Sequence, residues 1–117
     1  KMLFVMEYGV YPELIHGLRN AGHQLQVEHI MRRAISYLKK NKPELVIAEF
    51  YHEPAFRDRV SNLESMLAHI QRKLPDTRTV VIFDPKDELY LAQVIERFPV
   101  TEKIPHPVSI EQLLKII

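Results

Sequence analysis

Short apolar runs alternate along this chain with segments whose apolar residues recur every three or four positions. The runs at 2–6, 25–27, 45–48 and 80–83, and a weaker one at 100–104, predict five strands. The run 45–48, with no polar residue interrupting it, suits a central strand covered on both faces. Amphipathic helices fill the intervals. The first has Pro12 near its start, Leu14, Ile15 and Leu18 on one face, and Gly22 just past its end. The second carries Ile30, Ala34, Ile35 and Leu38 and stops before Pro43. A capping box, Ser61-Asn62-Leu63-Glu64, opens the third, which buries Leu63, Met66, Leu67, Ile70 and Leu74. The fourth spans roughly 87–98. The last opens on a second capping box, Ser109-Ile110-Glu111-Gln112, and runs through Leu113, Leu114 and Ile117 to the end of the chain, which suggests a trimmed chain.

Strands that alternate with helices across short connections form a parallel sheet, because parallel neighbours need crossovers. The expected fold is α/β, a doubly wound five-stranded parallel sheet in the order 2-1-3-4-5 with helices on both faces. At 117 residues the chain is expected to be one domain, 1–117, with a core that needs neither disulfides nor metal. The absence of cysteine removes thiolate nucleophiles and Cys-ligated zinc and fits a reducing compartment, so a cytoplasmic setting is expected. No apolar stretch is long enough to span a bilayer, and the start "KMLFVMEYG" reads as a strand rather than a signal peptide.

Sixteen basic and fifteen acidic residues leave a net charge of +1, too little to attract nucleic acid or a membrane surface, so neither is an expected partner. Arg32, Arg33, Lys39, Lys40 and Lys42, around the second helix, read as a solvated face. "HEPAF" lacks the second histidine of a zinc-protease motif, and the three glycines form no phosphate-binding loop.

The chemistry gathers around "PELVIAEFYHEP". Glu49 follows the central strand, at the edge where open parallel sheets bind ligands. The loop 51–60, "YHEPAFRDRV", is long and aromatic, and Tyr51, Phe56 and Tyr8 are candidates for a docking rim, or else close the top of the core.

"KPELVIAEF" and "IPHPVSIEQLL" carry a resemblance that extends from end to end of the chain. The chain resembles a receiver domain of bacterial two-component response regulators, which implies a flavodoxin-like fold and a role in signal transduction. Carried over position by position, the resemblance sets Met6 and Glu7 where receivers have two magnesium-binding acids. It sets Glu49 at the phosphoacceptor aspartate, Asp84 at the Ser or Thr that senses the phosphoryl group, His106 at the lysine, and Lys103 at the switch aromatic. The loop after Glu49 is also longer than usual, with Pro54 one position late. The extra methylene of glutamate shifts the carboxylate by about one C–C bond, and in-line transfer is sensitive to displacements of about 1 Å.

The resemblance therefore implies a degenerate, non-enzymatic pseudo-receiver that signals through protein contacts without phosphorylation. Its expected interaction surface lies between the fourth and fifth helices, near Tyr90, Arg97 and Lys103, with homodimerisation there as a further expectation. The alternative is an active receiver or phosphoryl-transfer enzyme in which Glu7, Glu49 and Asp84 converge on magnesium, with Glu7 and Glu49 as the metal ligands. The three carboxylates could equally be solvated or tied to Lys86 or His106. His106 is a candidate proton-responsive partner of Glu49.

Overall fold

The alternation of side chains along the central strand decides how the sheet is covered. The computed structural model describes residues 1–52 and 62–117. In strand β3, Leu45–Phe50, Leu45 and Ile47 join one apolar cluster while Val46, Ala48 and Phe50 join another. A strand buried on both faces needs helices on both, and they are there. Helices α1, Pro12–Asn20, and α5, Ile110–Ile116, supply Leu14, Leu18 and Leu113 to the first cluster. Helices α2, Met31–Lys40, α3, Asn62–Lys73, and α4, Glu88–Arg97, supply Ala34, Leu38, Met66, Leu67, Leu91 and Val94 to the second.

Strands β1, Met2–Val5, β2, Leu25–Glu28, β4, Arg78–Phe83, and β5, Glu102–Pro105, complete one parallel sheet in the order β2-β1-β3-β4-β5. The expected topology is thus the observed one. Helix α1 begins on Pro12 and ends before Gly22, whose φ of 94° is the left-handed conformation that favours glycine. Gly17 lets α1 approach α5, since a Cβ there would overlap the Ile110 side chain. The Ser109–Gln112 capping box forms as the sequence predicts, with Gln112 N donating to Ser109 Oγ at 3.1 Å and Ser109 N to Gln112 Oε1 at 2.9 Å.

The boundaries differ in instructive places. Strand β3 runs on through Glu49 and Phe50, which stay in register with Ile82 and Phe83 of β4. The last strand starts at Glu102 rather than 100, after Thr101 N has bonded Thr79 O at 2.9 Å. A 3₁₀ turn, Pro85–Asp87, precedes α4, because the Asp84 carboxylate accepts from Lys86 N at 3.0 Å. Ser61 of the expected capping box, and Pro54 and Phe56 of the long loop, lie outside the described residues. Among the described residues no helix is long and apolar enough to cross a membrane.

Candidate functional site

Because β3 continues past Ala48, Glu49 faces the α1 and α5 side of the sheet, as Leu45 and Ile47 do. It is 3% exposed. A buried carboxylate needs donors, and the β1–α1 loop brings two across the top of β3. Tyr8 N donates to Glu49 Oε1 at 3.1 Å, and the Tyr11 hydroxyl donates to Oε2 at 2.5 Å. The second is as short as a charge-assisted O–H···O⁻ bond. Gly9 fits the loop against this pair, since a Cβ there would stand 3.2 Å from the Tyr11 hydroxyl and 3.3 Å from Oε2.

Tyr11 immediately precedes Pro12 at the start of α1, and its ring is held between two others. It stacks on Phe4 at 5.6 Å and on His106 at 5.9 Å. His106 is fixed by its backbone N, which donates to Phe83 O at 2.9 Å. Its Nε2 lies 3.4 Å from the Tyr11 hydroxyl and 3.3 Å from that of Tyr51. Glu49 and His106 therefore lie on either side of the Tyr11 hydroxyl, each in contact with it. Burial, the bond to Glu49 and the charge of Glu49 push the Tyr11 phenol well above its ordinary range. Burial, followed by the charge of Glu49, raises Tyr51 as well. Both hydroxyls are thus neutral at physiological pH, and Tyr11 donates its proton to Glu49.

The other acids take different partners. Glu7 is half-buried and lines a cleft beside α2. Asp84 caps the turn that follows it. Among the described residues no three His, Asp or Glu side chains are grouped so as to hold a metal ion. Glu7, Glu49 and Asp84 thus do not form the expected three-acid group. Met6, 3% exposed, is packed in the apolar cluster with Leu14 and Leu113. Magnesium prefers an octahedron of oxygen ligands; the Met6 side chain offers none, and both Glu49 oxygens already accept hydrogen bonds.

Two residues that sequence reasoning missed hold the site together. Tyr11 is one, and its signal was an aromatic residue ending the loop opposite Glu49. The other is Asp87, 3% exposed, which accepts from His52 N at 3.2 Å and pairs with Lys86 Nζ at 3.4 Å. Asp87 so ties the chain leaving β3 to the chain leaving β4. His52 then stacks flat on Tyr90 of α4, with ring centroids 3.5 Å apart and planes 4° from parallel. Nearby, Arg97 pairs with Glu64 at 2.7 Å and Lys103 with Glu88 at 3.4 Å.

No protein-family model matches the sequence, and no curated protein matches it. Solved structures do match. The chain is similar to the chemotaxis response regulator CheY4 of Vibrio cholerae, with a TM-score of 0.75 at 19% identity over 97% of this chain and 92% of that one. It is similar to a CheY-like response regulator receiver domain protein of Methanospirillum hungatei, with a TM-score of 0.80 at 11% identity over 97% and 86%. A Burkholderia pseudomallei response regulator, solved with a phosphorylated aspartic acid, a calcium ion and citrate, matches with a TM-score of 0.75 at 18% identity over 98% and 64%. The fold is that of response regulator receiver domains.

Proposed function

We propose that this chain is a receiver-like signalling domain that acts through protein contacts without being phosphorylated. The observation that carries the proposal is the state of Glu49, a buried carboxylate with both oxygens engaged at the position the resemblance gives to the phosphoacceptor. Phosphoryl transfer needs an accessible nucleophilic oxygen in line with the leaving group, and cations to neutralise the three equatorial oxygens. Glu49 is buried beneath Tyr8 and Tyr11, and that cover would have to move for either oxygen to meet a phosphoryl donor. Met6 contributes no charge, and the Nε2 of His106 faces two phenols.

Magnesium held by Glu7 and Glu49 would require the same rearrangement, and we infer that the domain is neither a magnesium-dependent switch nor an enzyme. A cytoplasmic setting fits the cysteine-free sequence. The surface that meets a protein partner, or a second copy of the chain, is the face bearing Tyr90, Arg97 and Lys103. Two features favour it. Leu89 and Tyr90 are large and exposed there, and Tyr90 stacks on His52, three residues beyond Glu49.

A backbone amide NMR titration with magnesium and then beryllofluoride, a phosphoryl mimic, tests the proposal. The amides of Glu7, Glu49, Asp84 and His106 are expected to stay in place up to about 10 mM magnesium, far above the strength of a specific site. Movement with magnesium that grows on adding beryllofluoride would overturn it and make this an active receiver with a glutamate acceptor.

A further inference from the structure

Along the same sheet edge lies an open cleft of about 710 Å³ that the proposed function does not use. The ends of β1 and β2, one face of α2 and Ser65 of α3 form its walls. Arg32, Ile35, Ser36 and Lys39 of α2 line it at the three- and four-residue spacing of a single helical face. Tyr8 and Ile30 line it too, and both are large hydrophobics left open to solvent, at 51% and 46%.

The charge on the α2 wall of this cleft is one-sided. Residues 31–42 hold five of the sixteen basic residues of the chain and none of the fifteen acidic ones. Among the described residues the ion pairs use Lys1, Lys86, Arg97 and Lys103, so none of the five cations on and just after α2 pairs with a carboxylate. A cationic helix face beside exposed apolar side chains is complementary to a ligand that is both acidic and apolar.

We propose that this cleft docks an acidic segment of a partner protein, which sets an apolar side chain against Tyr8, Ile30 and Ile35 and lays its carboxylates along Arg32 and Lys39. Arg32 and Lys39 both lie on the α2 wall, which sets the acids to that side. A nucleic acid would use the cations but gain little from Ile30 and Ile35. This surface is separate from the one bearing Tyr90.

The test uses the full chain and a fluorescently labelled decapeptide of Asp and Glu residues around a central Leu-Phe pair. Anisotropy should report saturable binding with a Kd of about 100 μM, the strength of a small transient contact. The double variant Arg32→Glu Lys39→Glu, the variant Ile30→Ser, and a peptide with Ser in place of Leu and Phe should each weaken it by about tenfold. Lys115→Glu, at an exposed position of α5 on the opposite face of the sheet, should leave it unchanged. No saturation by about 1 mM, equal binding of the Ser-substituted peptide, or indifference to the charge reversal would overturn the proposal. Tighter binding of a single-stranded oligonucleotide would make the face a nucleic-acid site. Self-association that the charge reversal abolishes would make the occupant a second copy. Either of these results also overturns it.

Discussion

The Glu49 site and the α2 cleft share the carboxyl edge of one sheet, and both are charged, but they are built in opposite ways. Glu49 is 3% exposed and meets two donors of its own chain. Arg32 and Lys39 are exposed and form no ion pair among the described residues. A charge matched inside the domain contributes to its stability and shape, whereas one left unmatched is available to a partner. Substitutions in the first region should therefore cost folding free energy, and substitutions in the second should cost affinity.

Removing the buried carboxylate is the strongest way to break this contrast. Glu49→Ala leaves the Tyr11 hydroxyl and the Tyr8 amide without their acceptor, and is expected to cost about 3 kcal/mol. Urea unfolding reads this as a lower midpoint at unchanged slope. A loss below about 0.5 kcal/mol, the range of ordinary surface changes, would mean that Glu49 is no more integral than the cleft cations.

Tyr11→Phe keeps the ring stack and removes only the donor, so a smaller loss of about 1–2 kcal/mol is expected. Its pH dependence is the more specific readout. The Tyr11 phenol titrates higher in the native state than its ordinary value of 10.0. Native Tyr11 thus keeps a proton that the unfolded chain releases, and its contribution is complete below about pH 10 and lost as pH rises above it. Stability compared at about pH 8 and pH 11 should fall in the parent protein. The fall should be shallower in Tyr11→Phe, with Tyr51, also raised, supplying the remaining slope. Equal slopes in the two proteins would remove Tyr11 from the buried network.

The sequence made the fold legible because its signals are local or periodic. The Ser109–Gln112 capping box joins residues three apart, and the 45–48 run announces a doubly covered strand. The site was legible only in part. Glu49 stood out, but a carboxylate after an apolar run reads as the point where a strand leaves the core, when it is in fact the last turn inward. What buries it is Tyr11, 38 residues away, and nothing periodic links the two. Asp84 was drawn toward Glu49 by the resemblance alone, although Asp84-Pro85 is itself a turn signal, and the side chain bonds the amide two residues on. Asp87 and the His52–Tyr90 stack depend on where two loops meet, which no single segment encodes.

Gly9→Ala probes the same pair from outside. The added Cβ would sit against both the Tyr11 hydroxyl and Glu49 Oε2 at 3.2 and 3.3 Å, tighter than ordinary contact, and a cost of about 1 kcal/mol is expected. In a Glu49→Ala background that cost should shrink, since one of the two crowded atoms is gone. A double-mutant cycle measures the coupling, and additive costs would show that Gly9 and Glu49 act independently.

The smallest expected effect on stability is the most informative about the cleft. Arg32→Ala and Lys39→Ala, alone or together, should change the unfolding free energy by less than about 0.5 kcal/mol, because no carboxylate among the described residues loses a partner. Arg97→Ala is the matched control. Its guanidinium bonds Glu64, which is 9% exposed, and removing it takes a charge-assisted bond from a buried acid at a cost of about 1 kcal/mol. Losses for Arg32 and Lys39 as large as for Arg97 would show that their charges are used inside the domain, and the two regions would then differ only in exposure. With Arg97 the costlier, α2 carries a cationic face that the fold does not need, which is the condition a docking surface has to meet.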